Sequence, residues 1–127
     1  MNLADPLSDL HPRLGDAPFT QLVAAFYTRV RTDDLLSPMY PNNDWEGAQA
    51  RLRGFLIQRC GGPDTYSQER GHPRLRMRHA PFPIDLAARN RWVKLMDEAL
   101  TEANLSEADT TLLHTFFEQV ATQMMNR

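Results

Sequence analysis

The feature that most constrains this chain is a set of four long segments in which apolar residues recur at the spacing of an α-helix. The clearest stripe lies near the carboxyl end, at Leu113, Phe116, Phe117, Val120, Ala121 and Met124. Similar stripes predict helices over residues 18–32, 45–59 and 86–103. Such stripes must be buried against one another, and no segment shows the alternation of a β-strand. The sequence therefore predicts an all-α domain in which two antiparallel helix pairs pack face to face.

Residues that begin or end helices mark the limits of these segments. Asp16, Asp85 and Ser106 are expected to cap the first, third and fourth helices, and Gly61-Gly62-Pro63 is expected to end the second. Residues 41–44 predict a turn.

Two segments lack a clear helical pattern. Residues 1–17 are expected to be loop with at most one helical turn, so that residues 1–14 form an irregular extension of the single domain 1–127. Residues 63–71 are expected to be a polar loop that contains Tyr66.

A proline-bounded segment, residues 71–82, lies between the two helix pairs. Pro73 favours the start of a short helix, and Pro81 forces that helix to stop near His79. An imidazole at the tip of a short, stiff support, followed by the apolar Phe82 and Ile84, suits an axial ligand of haem iron. Its other ring nitrogen is expected to donate to a backbone carbonyl, which fixes the tautomer.

Local chemistry alone leaves other interpretations of this segment open. A single histidine among arginines is more often solvated or structural, and arginine clusters also occur in nucleic-acid patches. The net charge of −2 argues against nucleic acid, because phosphate binding favours a basic surface.

Tyr27 and Trp92 lie on helical stripes, where aromatic residues usually belong to the core.

Composition limits the class of protein further. The 127 residues are 42% hydrophobic and 24% charged, which is typical of one globular domain. The single cysteine, Cys60, excludes an intrachain disulfide and a multi-cysteine zinc site. The first residues do not read as a signal peptide, and no apolar run is long enough to cross a membrane. We therefore expect a cytoplasmic protein without a membrane partner, either a monomer or a homodimer.

The order of several motifs resembles the group II truncated haemoglobins over roughly residues 15–125. The motifs are Phe26-Tyr27, Tyr40-Pro41, Arg51-Leu52, Gly61-Gly62-Pro63, the stretch from His72 to Phe82, and Trp92. The stretch ending at Phe82 is the most specific. The resemblance implies a two-over-two helical sandwich that carries haem b.

The same resemblance implies a role for each of the matching residues. His79 would be the proximal ligand of the iron, while Tyr27, Tyr40 and Trp92 would face the side where dioxygen binds. Ala48 would occupy the place where many globins have a distal histidine. The residues implied to contact the haem or its propionates are Arg51, Leu52, Phe55, Leu56, Tyr66, His72, Leu75, Arg78 and Phe82, with Arg51 and Arg78 the main propionate candidates.

These roles lead to two functional hypotheses. The first is reversible binding of dioxygen, carbon monoxide and nitric oxide at ferrous haem, with high oxygen affinity. The alternative is an enzyme for nitric oxide dioxygenation or a peroxidase-like reaction. The sequence shows no dinucleotide fingerprint, so such an enzyme would depend on an unknown outside reductase. A haem-free helical interaction module is the third class, and a visible absorption spectrum distinguishes it.

Overall fold

The computed structural model describes residues 5–40 and 43–127. Within those ranges the chain forms seven α-helices and no β-strand. Their bounds are Leu10–Leu14 (α1), Ala17–Val30 (α2), Trp45–Arg59 (α3), Thr65–Arg70 (α4), Leu75–His79 (α5), Leu86–Ala103 (α6) and Glu107–Met124 (α7). Short 3₁₀ turns occupy Pro6–Asp9 and Ser37–Met39. The turn predicted over residues 41–44 falls partly outside the described residues.

The four long helices form the predicted sandwich. Helix α2 packs against α3 and α6, and α6 packs against α7. Aromatic pairs cross the interior: the ring centroids of Phe26 and Trp92 are 5.3 Å apart, and those of Phe55 and Phe116 are 6.4 Å apart. The predicted all-α, two-over-two fold is confirmed.

The core follows the stripes that the sequence shows. Phe19, Val23, Phe26 and Val30 of α2 are almost completely buried, as is Met96 of α6. Burying each such side chain contributes about 1.5–3 kcal/mol before the cost of ordering the chain. None of the helices in the described part of the chain has the length and apolarity needed to span a bilayer.

The three predicted N-cap residues all lie at the starts of their helices, and two of them make side-chain capping bonds. The side chain of Asp85 accepts a hydrogen bond from the Ala88 amide at 2.9 Å, and that of Ser106 accepts one from the Asp109 amide at 3.1 Å. Asp16 also lies at the predicted N-cap position of α2, but its side chain makes no capping bond and lies 2.6 Å from Nε2 of His11 instead.

The amino-terminal segment is more ordered than the sequence predicts. Residues 6–14 form a 3₁₀ turn and α1, with Leu7 and Leu10 buried. Arg13 of α1 donates to the buried carboxylate of Asp109 at 2.8 Å. The partner lies 96 positions away, so no local pattern reveals this contact.

Gly61 ends α3 close to that amino-terminal segment. Its φ is +95°, and a Cβ at this position would lie 1.9 Å from the carbonyl oxygen of Ser8. Only glycine has both the backbone conformation and the space that this turn requires.

The segment predicted as a polar loop after α3 instead contains helix α4. Tyr66 is buried with its ring 5.9 Å from that of Phe55, and the amide of Ser67 donates to the side chain of Gln58 at 2.9 Å. These contacts to α3 stabilise a six-residue helix that has little helical pattern of its own.

Helix α5 is shorter than its prolines suggest. Arg74 has a left-handed backbone, with φ of +43°, so the helix begins at Leu75 rather than at Pro73. Its carboxyl end at His79 agrees with the prediction.

Candidate functional site

A cavity of about 430 Å³ lies between the two helix pairs. Its volume is within the range of small-molecule and cofactor pockets. Most of the predicted site residues line it, namely Tyr27, Tyr40, Arg51, Leu52, Phe55, Leu56, Tyr66, Leu75, Arg78, His79, Phe82 and Trp92. The fold therefore brings these predicted residues, from five helices and two connecting segments, to one chamber.

His79 lies at one side of this cavity, at the carboxyl end of α5. Its Nδ1 is 2.6 Å from the carbonyl oxygen of Leu75, one helical turn earlier. A carbonyl only accepts hydrogen bonds, so Nδ1 carries the proton and the lone pair of Nε2 is free to bind a metal. The sequence predicted this backbone contact, and the structure confirms it.

Tyr27, Tyr40 and Trp92 place polar hydrogens at the wall of the cavity. Burial raises the pKa of the Tyr27 hydroxyl well above its ordinary value, and the neighbouring Tyr40 raises it further. Burial also raises the pKa of Tyr40, while donors on Tyr27 and Trp92 oppose part of that shift. Both phenols are therefore neutral near pH 7, so each has a proton to donate.

Aromatic packing holds these three side chains in place. The Tyr40 ring stacks on Trp45, with centroids 5.4 Å apart. The Trp92 ring lies between Phe26 and Phe117, at centroid distances of 5.3 and 5.7 Å. The Trp92 body is thus part of the core, while its side chain also lines the cavity.

Several lining residues were not predicted as site residues. Sequence reasoning assigned the α7 residues among them to the core, because a helical stripe looks the same whether it faces another helix or a cavity. Ala48, which resemblance placed at the distal position, is buried and also lines the chamber. The lining residues that were missed are Leu36, Met39, Arg70, Ile84, Ala88, Arg89, Phe116, Phe117, Val120, Ala121 and Met124.

The cavity is bordered by arginines whose environments differ. Nη2 of Arg78 donates to the carbonyl of Arg70 at 2.8 Å, while its Nε is buried without a hydrogen-bond partner among the described residues. Nη1 of Arg51 already donates to the Asp44 carboxylate at 3.0 Å. An anionic group at this border would find its unsatisfied donor on Arg78.

His72 is the predicted contact residue that the structure places elsewhere. It is exposed and lies outside the 430 Å³ cavity, and its Nδ1 accepts a hydrogen bond from the Arg74 amide at 3.1 Å. Arg74, which separates His72 from α5, has a left-handed backbone, and proximity in sequence to His79 did not reveal this change of conformation.

Comparison with known proteins agrees with this architecture. The model of the bacterial-like globin family matches residues 11–126. The group 2 truncated hemoglobin YjbI of Bacillus subtilis is 37% identical over 114 residues, covering 90% of this chain and 86% of the relative. The chain belongs to the group II truncated haemoglobins. Membership of this family implies haem binding and gas ligands such as oxygen.

Solved structures support the same assignment. The hemoglobin of the thermophilic phototrophic bacterium Chloroflexus aurantiacus is 44% identical with a TM-score of 0.89, covering 93% of this chain and 98% of that one. A truncated oxygen-avid haemoglobin from Bacillus subtilis is 35% identical with a TM-score of 0.86, covering 91% and 98%.

The site itself fits the haem that this truncated haemoglobin family carries. Within residues 5–40 and 43–127, no three His, Cys, Asp or Glu side chains converge as metal ligands. His79 offers one free imidazole nitrogen in an apolar chamber, which suits a metal that brings a macrocycle of its own. The unsatisfied Nε of Arg78 suits the carboxylates of that macrocycle.

Proposed function

We propose that this protein binds haem b through His79 and takes up dioxygen reversibly, with high affinity, between Tyr27, Tyr40 and Trp92. The observation that supports this most directly is the convergence in one apolar cavity of an imidazole with a fixed tautomer and three neutral hydrogen-bond donors. Carbon monoxide and nitric oxide are expected to enter the same chamber.

His79 performs the proximal role in this proposal. Because the Leu75 carbonyl accepts a hydrogen bond from Nδ1–H, the ring is oriented and Nε2 is left free to bind the iron. Apolar side chains that line the same chamber, such as Leu52 and Leu56, offer contacts to a flat macrocycle and exclude water.

Arg78 is the residue that we expect to hold a haem propionate. Its Nε lacks a partner within the described chain, and a charged acceptor would form a strong hydrogen bond with its guanidinium. Arg51 is the less favourable of the two predicted arginines, because Asp44 already accepts from it.

The three donors act on the gas ligand. Haem, when bound, supplies a ferrous iron that passes electron density to dioxygen, so the outer oxygen atom becomes partly negative. A hydrogen bond to a charged group contributes about 1.5–3 kcal/mol. One such bond from Tyr27, Tyr40 or Trp92 would slow oxygen release by about ten- to a hundredfold. The Bacillus subtilis haemoglobin compared above is oxygen-avid, which agrees with this expectation.

The first experiment is a visible spectrum of the haem-reconstituted protein beside that of His79→Ala. We expect a Soret band in the wild type, and in the variant a shifted or weakened band with rapid loss of haem. Flash photolysis and stopped-flow mixing then give the association and dissociation rates of dioxygen and carbon monoxide. An unchanged Soret band in His79→Ala would show that another residue binds the iron.

The convergence of three donors also favours a second candidate function, because a site that retains dioxygen is suited to reacting with it. Nitric oxide dioxygenation or a peroxidase-like reaction would use the same cavity with electrons from an outside reductant. Mixing the oxygenated protein with nitric oxide tests this candidate. Prompt formation of nitrate supports it, whereas displacement of dioxygen without nitrate contradicts it.

A further inference from the structure

The side chain of Asn126, beyond the end of α7, is bound to the loop that directly follows His79. Its Nδ2 donates to the Phe82 carbonyl at 2.8 Å and lies 3.4 Å from the His79 carbonyl oxygen. Its Oδ1 accepts from the Ile84 amide at 3.0 Å. The backbone amide of Asn126 donates to the Ile84 carbonyl at 2.9 Å. Both ends of this short loop are therefore tied to one residue near the carboxyl terminus.

A second contact ties α5 itself to the same terminal segment. Nη1 of Arg76 donates to the carbonyl oxygens of Gln123 and Met125, at 2.6 and 3.0 Å. Helix α5 and the loop after it thus share one support, the chain segment from Gln123 to Asn126.

Helix α5 depends on such support because it has little stability of its own. It is only five residues long, its amino end has no side-chain cap, and it begins after a left-handed Arg74. Isolated helices of this length do not persist in water. Met77 and Phe82 remain 59% and 37% exposed, so burial of apolar side chains holds this region only in part.

We propose that Asn126, assisted by Arg76, is a positioning residue that sets the orientation of the His79 ring toward the cavity. The proposal rests on the proposed role of His79 as the haem ligand. The Leu75 carbonyl fixes the rotation of the ring within α5, and Asn126 fixes α5 and its exit relative to α7. Together they determine the direction in which the lone pair of Nε2 points.

The experiment measures the iron–histidine stretching band of the ferrous, ligand-free protein by resonance Raman spectroscopy. We expect Asn126→Ala to shift and broaden this band. Asn126→Asp keeps the acceptor for the Ile84 amide but sets a carboxylate oxygen against the Phe82 and His79 carbonyl oxygens, so a shift at least as large is expected. Gln119→Ala, an exposed change on α7, is the matched control and is expected to leave the band unchanged.

Hydrogen exchange in the haem-free protein gives a readout that does not involve the iron. Loss of the bond from Asn126 is expected to speed exchange of the Ile84 amide about two- to tenfold. The amides in the middle of α2 and α6 serve as internal controls and should keep their wild-type rates. Faster exchange throughout the protein would show general loss of structure and would overturn a positioning role.

A variant with a detached ligand separates positioning from other effects. In His79→Gly supplied with free imidazole, the ring is no longer joined to α5, so Asn126→Ala should not move the iron–imidazole band. An equal shift in this background would overturn the proposal, because Asn126 would then act on the cavity and not through the backbone of His79. An unmoved band in the Asn126→Ala protein with His79 intact would overturn the positioning role alone. A His79→Gly spectrum identical to that of the wild type would overturn the ligand assignment as well.

Discussion

The ring of Tyr40 meets the ring of Tyr27 edge to face, with centroids 5.7 Å apart and ring planes at 85°. One residue lies on α2 and the other ends a 3₁₀ turn. This contact brings two phenol groups to the same wall of the cavity. Because burial is the main cause of the raised pKa of each, both remain donors over the whole physiological pH range.

Burial of these phenols predicts a loss of stability at alkaline pH. The unfolded chain ionises its tyrosines near pH 10, whereas the folded protein holds the pKa of Tyr27 and Tyr40 higher. Their contribution is therefore complete below about pH 10 and is lost as the pH rises above it. We expect Tyr27→Phe to flatten the decline of the free energy of unfolding above pH 10, measured by denaturant titration. In the folded wild type Tyr27 should not ionise near pH 10, so Tyr27→Phe should leave the phenolate absorbance change at that pH unaltered. A smaller absorbance change near pH 10 in the variant would contradict the raised pKa of Tyr27.

Replacement of Trp92 tests the proposed hydrogen bond to dioxygen. Trp92→Phe keeps an aromatic body between Phe26 and Phe117 but removes the indole N–H. We expect oxygen release to become at least several-fold faster, and carbon monoxide release to change less because that ligand carries less charge. Stopped-flow ligand replacement measures both rates. Gln119→Ala, an exposed change on α7, is the control. Equal acceleration for the two gases would contradict the hydrogen-bond explanation.

Comparison of two arginines tests the proposed propionate contact. Arg78→Gln removes the side chain whose Nε has no partner in the described residues, and we expect transfer of haem to an excess of apomyoglobin to become about tenfold faster. Arg51→Gln should have a smaller effect, because that guanidinium already donates to Asp44. The reverse order of the two rates would assign the propionate to Arg51.

Much of this fold is encoded locally and was predictable for that reason. The stripes of α2, α3, α6 and α7 lie within single helices, and the caps at Asp85 and Ser106 lie within three residues of the amides they bind. Helix α4 was missed because Tyr66 and Ser67 are held by side chains of α3 and not by their own neighbours. The same reason explains the helical structure of residues 6–14, which Asp109 and the Cys60 carbonyl stabilise from a distance.

In the candidate site, too, the features set by neighbouring residues were predictable, and those set by distant contacts were not. The position of His79 followed from Pro81, and its bond to Leu75 followed from the geometry of one helical turn. The donors Tyr27, Tyr40 and Trp92 were proposed from the family resemblance, because residues on three separate elements have no common local pattern. The structure places His72 outside the cavity, and the left-handed backbone at Arg74, two residues later, has no signal in the residue types around it. The contacts of Asn126 were absent from the prediction because they span more than 40 positions.

His114 links the last two helices and gives a second pH dependence of stability, in a lower pH range than that of the tyrosines. Its Nδ1 lies 2.6 Å from a carboxylate oxygen of Asp97 on α6, and its Nε2 contacts Glu118, which Arg89 also contacts at 3.3 Å. The bond to Asp97 is the main cause that raises the pKa of His114 above its ordinary value, and burial opposes it in part.

The direction of that shift fixes the pH range in which His114 stabilises the fold. The unfolded chain releases this proton near pH 6.5, so the stabilisation is complete below that value and is lost as the pH rises through the higher pKa of the folded state. The pair is well exposed, so its contribution at pH 6 should be no more than about 1 kcal/mol. We expect His114→Gln to lower the unfolding temperature more at pH 6 than at pH 9 in calorimetry, with the exposed His72→Gln as control. An equal decrease at both pH values would show that His114 stabilises the helix pair by packing rather than by its charge.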